Sequence, residues 1–252
     1  MLPIRDHNPR SIVPVVNYAL IAACIIAWLW EYSLIQVGAG WVIPAYGMVP
    51  ARLVADPGGE AFTVFTSMFM HGSWGHLAGN MLFLWIFGDN VEDAIGHLRY
   101  AAFYLFGGLL AAAAQLLIDP GSHVPMVGAS GAIAAVLGAY VVLYPRAPVT
   151  VFFGFFLLDF PAWLVVGEWF LWNLMSGVGS LGADQLGGVA FFAHIGGFIA
   201  GLLTIRLWMV GRSKRPAPAW EGWRPPPRLP PGGARRASDP GRYRDPWFPN
   251  DR

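Results

Sequence analysis

Charged side chains are scarce in this sequence. Asp, Glu, Lys and Arg make up 12% of the 252 residues, whereas hydrophobic residues make up 56%. A water-soluble domain of this length needs more charge than this to cover its surface. The composition therefore argues against an ordinary soluble protein and indicates a chain embedded in a membrane.

Several functional signatures are also absent. Cys24 is the single cysteine and lies in an apolar run, so no disulfide can form within the chain. The sequence has no internal repeat, no phosphate-binding glycine loop, no paired metal-ligand motif and no sign of nucleic-acid binding. We therefore expect partners other than nucleic acid.

Six apolar segments are each close to the ~20 helical residues that cross ~30 Å of hydrocarbon. Backbone polar groups must be paired inside a bilayer, so we expect these segments to be helices. They cover approximately 14–36, 75–95, 98–118, 128–145, 161–179 and 187–210. The shorter apolar stretch 149–158 is predicted to be an interfacial or partly inserted entry to the fifth helix.

Basic residues mark the ends of the predicted spans on one side. Arg52 is the only basic residue in the loops of the opposite side. Because Lys and Arg concentrate in cytoplasmic loops, we expect both termini in the cytoplasm, with the N-terminal segment retained. The basic residues at the cytoplasmic boundaries are Arg5, Arg10, Arg99, Arg146, Arg206, Arg212, Lys214 and Arg215.

Two stretches stand apart from the spans. The outer loop over about 38–73 is rich in apolar residues and is expected in the membrane interface. Residues 213–252 are rich in proline, and ten of the 16 Lys and Arg residues follow position 210. We predict a membrane domain over 1–212 and a disordered cytoplasmic tail over 213–252. A solvated tail is favoured over one whose tryptophans contact anionic lipid.

Four polar residues occupy the first turns of the helices that descend from the outer side. His76 and Asn80 lie on the second helix, Ser130 begins the fourth, and His194 is about two turns into the sixth. Polar side chains in lipid face a partner or a water-filled cavity because exposure to hydrocarbon is costly. We expect these four side chains to share one site in the outer half of the bilayer.

Small residues would allow the fourth and sixth helices to approach closely. His194, Gly197 and Gly201 form one helical stripe, and Ser130, Ala134 and Gly138 form another. If these stripes face each other, the hydroxyl of Ser130 comes within hydrogen-bond reach of His194. A neutral imidazole can then accept the serine proton.

The neighbouring residues suit acyl transfer. His76 and Asn80 share a helix face and can both donate hydrogen bonds to one oxyanion. Gly128 and Gly131 leave the backbone around Ser130 open to a substrate carbonyl.

Each signal also has a structural explanation. A Gly-x-Ser-Gly motif, a lone histidine or a membrane asparagine such as Asn80 often serves helix packing. Glu168 in the fifth helix would suit a transporter or a proton relay, or an acid with no functional role. The coincidence of a nucleophile, a base and two donors at one depth favours catalysis.

These motifs resemble those of the rhomboid intramembrane serine proteases of bacteria, over about residues 1–210. The resemblance implies an all-α membrane protein with six transmembrane helices in a rhomboid-like bundle. It also implies a Ser130–His194 dyad, without an aspartate, that cleaves transmembrane proteins near the outer membrane face. The matching motifs are His71-x4-His76-x3-Asn80, Gly128-x-Ser130-Gly131, Ala193-His194-x2-Gly197-x3-Gly201 and Gly88-x3-Glu92-x3-Gly96.

The resemblance also assigns the surrounding residues. The oxyanion hole comprises His76, Asn80 and the backbone N–H of Ser130, whereas His71, Gly128 and Gly131 line the site. The mechanism needs no metal or organic cofactor. The expected partners are the lipid bilayer and transmembrane substrates, and the expected location is the bacterial inner membrane.

Two positions depart from the family pattern. Many relatives carry a tyrosine one turn after the serine that stacks on the catalytic histidine, and here this position is Ala134. The group that orients His194 must therefore be another one, with Phe191 or Phe192 as candidates. The Trp-Arg pair that many relatives have in the first outer loop is missing. A rhomboid-like pseudoprotease that binds clients without cleavage is the alternative, and a small transporter is a further one.

Overall fold

A computed structural model describes residues 1–180 and 190–212, and helices dominate this part of the chain. Short helices α2 to α4 follow the first long helix, and a π-helix joins α5 to α6. The helices are α1 Val15–Gln36, α2 Val42–Tyr46, α3 Pro50–Ala55, α4 Pro57–Thr66, α5 Trp74–Phe83, the π-helix Leu84–Gly88, α6 Asp89–Ile95, α7 His97–Ile118, α8 Ser130–Leu143, α9 Ala162–Ser180 and α10 Phe191–Trp208.

Each of the six predicted apolar segments contains a helix. The second is a continuous helical run made of α5, the π-helix and α6. Three helices of the described chain are long and apolar enough to cross a membrane, namely α1, α7 and α10. The second segment is divided by its π-helix, and α8 has only 14 residues. The crossing of the membrane by all six therefore stays a prediction.

The prediction of an all-α fold is wrong in one region. Three strands form an antiparallel sheet in the order β1-β2-β3, with β1 Leu2–Asp6, β2 Pro148–Phe153 and β3 Phe156–Pro161. The stretch predicted as an entry to the fifth helix is thus a β-hairpin, which turns at Gly154 with a φ of +63°. Strand β3 continues directly into α9, whereas short segments join β1 to the start of α1 and the end of α8 to β2.

Helix α8 is the centre of the bundle. All ten residues from Gly131 to Tyr140 are buried, and α10 packs along one side of the helix. The contact uses the predicted stripes, since a Cβ on Gly197 would overlap the carbonyl oxygen of Gly131, and one on Gly201 would overlap that of Ala135. The close approach of these two helices therefore depends on glycine.

A buried carboxylate connects the first helix to the end of the second segment. Glu92 is fully buried, and its two oxygens accept hydrogen bonds from the backbone N–H groups of Val16 and Asn17, at 3.0 and 2.7 Å. These N–H groups belong to the first turn of α1, where a helix has no internal acceptors for them. Gly96 then turns the chain into α7 with a φ of +85°, a conformation that favours glycine.

The outer loop contains α2, α3 and α4 rather than irregular chain. Asp56 caps α4 by accepting a hydrogen bond from the N–H of Gly59 at 2.9 Å. Arg52, the basic residue on this side, forms an ion pair with Glu60. The predicted tail over 213–252 and the segment 181–189 lie outside the described residues.

Candidate active site

Ser130 is the first residue of α8, and the turn before it depends on Gly128. Gly128 has a φ of +126°, and its N–H donates to the carbonyl oxygen of Ser67 at 2.8 Å. A Cβ at this position would lie 2.7 Å from Nε2 of His76 and 3.5 Å from Oγ of Ser130. The glycine therefore allows the imidazole of His76 to lie against the backbone next to the serine.

His194 occupies the first turn of α10 and contacts the serine directly. Its Nε2 lies 2.7 Å from Oγ of Ser130, a normal length for a hydrogen bond. The helix contact is adjacent to this pair, because Gly131 follows Ser130 directly and Gly197 lies one turn after His194. The small residues of the two predicted stripes thus allow the hydroxyl of Ser130 and the imidazole of His194 to meet.

The other ring nitrogen of His194 has a partner that the sequence analysis missed. Oδ1 of Asn173 lies 2.6 Å from Nδ1 of His194. Among the residues that the structure describes, the aromatic ring packed against His194 is that of Trp169, with ring centroids 5.9 Å apart and planes at 40°. Phe191 and Phe192, the two candidates from the sequence, do not have this role.

The sequence contains a feature that could have drawn attention to Asn173. A polar residue within an apolar membrane helix usually has a partner, and α9 carries both Glu168 and Asn173. Of these two residues, only Glu168 was weighed as a functional candidate. In the structure Glu168 is 45% exposed and lies 3.5 Å from the N-terminal amine of Met1, and it does not line the cavity beside Ser130.

His76 and Asn80 lie one turn apart on α5. Oγ of Ser73 caps this helix by accepting the N–H of His76 at 3.1 Å. Asn80 is 8% exposed, and its Nδ2 has no hydrogen-bond partner. A buried amide donor without a partner is costly in a folded protein. This donor is available to an oxygen atom brought by a ligand.

A cavity of about 580 Å³ joins these residues. Its lining includes His76, Asn80, Gly128, Ser130, Gly131 and His194, so six of the seven predicted site residues share one space. None of the described residues that line this cavity is Asp, Glu, Lys or Arg. The cavity therefore offers a nucleophile, a base and neutral donors, which together can perform acyl transfer at a carbonyl.

His71 is the predicted residue that does not line the cavity. It is fully buried behind His76, with the two ring centroids 5.2 Å apart. Its backbone N–H donates to Glu31 at 3.0 Å, and its Nδ1 lies 3.1 Å from the carbonyl oxygen of Phe69. Burial, together with nearby His76, lowers the pKa of His71 to about 4. The ring is therefore neutral at pH 7 and supports the position of His76.

Metal-binding clusters are not evident in the described chain. Within residues 1–180 and 190–212, no three His, Cys, Asp or Glu side chains lie close enough together to hold a metal ion.

Comparison with known proteins identifies the family. The Rhomboid domain model matches residues 58–211, which is more than half of the chain and includes every residue of the site. The chain belongs to the rhomboid family. The family assignment made from the sequence motifs is thus confirmed, and together with the apolar helices it makes the protein an integral membrane protein.

The relatives of this rhomboid protein are widely distributed. It is 28% identical over 145 residues to Rhomboid protein 1, mitochondrial, of Saccharomyces cerevisiae, which covers 56% of this chain and 40% of that protein. It is 33% identical over 139 residues to Rhomboid protease GluP of Bacillus subtilis, covering 53% and 26%. Presenilin-associated rhomboid-like protein, mitochondrial, of Mus musculus is 26% identical over 174 residues, covering 66% and 44%. The matches span less than half the length of these relatives.

Proposed function

We propose that this protein is an intramembrane serine endopeptidase that cleaves transmembrane proteins. The observation that carries the proposal is the contact of 2.7 Å between Oγ of Ser130 and Nε2 of His194, inside a cavity large enough for an extended peptide segment. Membership of a family that includes proteases supports the same conclusion.

The reaction is acyl transfer in two stages. His194 takes the proton of Ser130 as the hydroxyl oxygen attacks the scissile carbonyl, and an ester forms between the serine and the substrate. The imidazolium then protonates the leaving amine. In the second stage His194 removes a proton from water, which hydrolyses the ester and releases the serine.

The negative oxygen of each tetrahedral intermediate needs donors. Nδ2 of Asn80 is buried beside the cavity without a partner, and the imidazole of His76 lies against Gly128 close to the serine. We assign these two side chains, with the backbone N–H of Ser130, to the oxyanion hole. Such donors act strongly where they are held in place before the reaction begins.

The membrane arrangement follows from the charges at the helix ends. Six helices cross the bilayer, both termini are cytoplasmic, and the site lies near the outer face. A substrate helix enters sideways beside α9, and it unwinds at small or helix-breaking residues. A bacterial inner membrane is the proposed location. The domain boundary at 212 is part of the same proposal.

A cleavage assay in liposomes tests this function. The purified protein should cut a model transmembrane substrate, and Ser130→Ala and His194→Ala should each abolish cleavage while the protein stays folded. Ser33→Ala and His123→Ala are matched controls at exposed positions and should cleave at the wild-type rate.

Two results would contradict the proposal. Near-wild-type turnover by Ser130→Ala would refute the serine mechanism. Binding of the substrate by the wild-type protein without any cleavage would favour a pseudoprotease. A transporter is not favoured, because Glu168 lies apart from the cavity, beside the N-terminal amine.

A further inference from the structure

Asn173 is a buried amide whose two polar ends both have partners. It is 5% exposed, its Oδ1 lies 2.6 Å from Nδ1 of His194, and its Nδ2 donates to the backbone carbonyl oxygen of Trp169 at 2.8 Å. The reverse orientation of the amide would place its oxygen against the carbonyl oxygen of Trp169, so two acceptors would face each other. The hydrogen-bond partners therefore determine which end of the amide faces His194.

This orientation selects one tautomer of the imidazole. An amide oxygen can only accept a hydrogen bond, so Nδ1 of His194 must carry the proton. In a neutral ring Nε2 is then without a proton, and this is the nitrogen 2.7 Å from Oγ of Ser130. The ring thus presents its basic nitrogen to the hydroxyl whose proton it has to accept.

We propose that Asn173 is a positioning residue that holds His194 in the reactive tautomer and stabilises its imidazolium during the reaction. The inference rests on the proposed serine protease function and extends the dyad to a chain of Ser130, His194 and Asn173. When His194 takes the serine proton, the ring becomes a cation, and its Nδ1–H···O contact becomes a charge-assisted hydrogen bond. An amide carries no charge, so it stabilises the imidazolium less than a carboxylate would.

Helix packing alone does not account for this residue. Asn173 lies in an apolar helix, where a leucine would fill similar space without the cost of burying a polar group. The amide instead uses both its acceptor and a donor, and its donor returns to the carbonyl oxygen four residues earlier on α9. Trp169, which supplies that oxygen, also packs its ring against His194. One turn of α9 therefore supports the imidazole through a hydrogen bond and a ring contact.

Two substitutions separate a positioning role from a packing role. Asn173→Leu removes the acceptor at similar volume, and kcat should fall about three- to tenfold, the factor that one neutral hydrogen bond is worth, with KM little changed. Asn173→Asp restores an acceptor and should recover kcat. The acid limb of its pH profile should move to higher pH, because a carboxylate favours the imidazolium. Among the described residues, His76 is the other titratable side chain close to His194, and it is unchanged in every variant.

Val166→Ala is the matched control. Val166 is buried on α9 two turns before Asn173, on the same helix face. This substitution weakens the packing of the helix without removing a polar group. It should lower the thermal stability in detergent, yet the pH profile should keep its wild-type position.

The tautomer can be measured without any turnover. In protein labelled with ¹⁵N-histidine, the resonances of His194 can be assigned by their loss in His194→Ala. We expect the Nδ1–H form in the wild type and a shift toward the Nε2–H form in Asn173→Leu. An active wild type with the Nε2–H form, or an Asn173→Leu variant with unchanged tautomer and kcat, would overturn the role of Asn173 and leave the protease proposal standing. An inactive wild type with the Nδ1–H form would contradict the protease proposal and leave Asn173 only the selection of the tautomer.

Discussion

At the scale of single residues, catalysis would depend on neutral groups. The serine hydroxyl is a weak nucleophile until a base removes its proton, and the base here lies 2.7 Å away. None of the described side chains that line the cavity carries a formal charge apart from what His76 and His194 gain on protonation. The negative oxygen of the proposed reaction would therefore rely on neutral donors, and Nδ2 of Asn80 is a donor without a partner in the described chain.

Asn80→Ala tests this dependence. It should lower kcat by roughly 10²–10³, the usual cost of removing one oxyanion donor. KM should change little, because the donor acts mainly on the transition state. The measurement is steady-state cleavage in liposomes, with thermal unfolding in detergent as the check on folding. If kcat stayed at the wild-type value, Asn80 would be a packing residue.

The residues proposed to react were named from the sequence, whereas the residue behind His194 was missed. Ser130, His194, His76 and Asn80 could be predicted because motif spacing places them in the first turns of three helices. Asn173 stands out as a polar residue in an apolar helix, but its partner could not be assigned, because the contact depends on how α9 is rotated against α10. His71 was expected to line the site, yet it is buried behind His76. The spacing between His71 and His76 in the motif does not show which of the two side chains faces the cavity.

At the scale of helices, the position of His194 depends on how closely α8 and α10 approach. A Cβ on Gly201 would overlap the carbonyl oxygen of Ala135, which is backbone and cannot move aside alone. Gly201→Ala should therefore destabilise the fold by about 1–3 kcal/mol, the usual cost of overpacking a core. It should also reduce turnover, because the helices that carry Ser130 and His194 are forced apart.

Gly167→Ala provides the control for this substitution. Gly167 also lies in a helix, but nothing lies within 4 Å of an added Cβ. Since alanine favours helix more than glycine does, the control should be neutral or slightly stabilising. Thermal unfolding of both variants in one detergent gives the comparison. Equal unfolding temperatures would show that the two helices can separate without cost.

The periodicity of apolar residues in the sequence could not predict the sheet. The residues of β2 and β3 form an apolar run without alternation, which suits a helix as well as a strand. The partner of β2 is β1, more than 140 residues earlier. Pairing at such a distance leaves no local signal in the sequence. The exposed apolar side chains of the hairpin, with Phe155 at 96% exposure, keep the prediction of an interfacial location open.

Asp6 on β1 makes the attachment of this sheet sensitive to pH. Its Oδ2 accepts hydrogen bonds from Tyr140 at 2.6 Å and from Asn90 at 3.0 Å. Burial raises the pKa of Asp6 from 3.8 to about 7, although the hydrogen bond from Tyr140 lowers it. Between these two values the folded state holds a proton that the unfolded state has released. The contribution of Asp6 to stability therefore falls as the pH rises from about 4 to 7.

Asp6→Asn should remove this contribution. His71, with its pKa lowered to about 4, acts in the opposite direction over part of the same range, so the wild-type curve alone is not decisive. The informative quantity is the difference in unfolding temperature between wild type and Asp6→Asn from pH 4 to 7. The wild type should lose stability relative to the variant as the pH rises. A constant difference would contradict the buried environment of Asp6.

At the scale of the whole molecule, the composition and the positions of the charged residues predicted more of the architecture than any local pattern did. Scarcity of charge indicated a membrane protein, and the positions of Arg5, Arg99 and Arg146 predicted how the helices alternate. The family match covers residues 58–211. It ends just before the proline-rich tail. The proposed reacting residues all lie within that match, so the catalytic account does not depend on the tail.

The central claim is that Ser130 is a nucleophile activated by His194, and covalent labelling tests it most directly. A small fluorophosphonate reacts with a serine only when a base activates the hydroxyl and donors receive the phosphoryl oxygen. Intact-mass spectrometry with peptide mapping of the lipid-reconstituted protein should show a single adduct, on Ser130. Labelling should fall at low pH, because an imidazolium cannot accept the serine proton. It should be suppressed at every pH in His194→Ala. A cleavage-active preparation without an adduct on Ser130, or an adduct that forms equally well without His194, would contradict the mechanism.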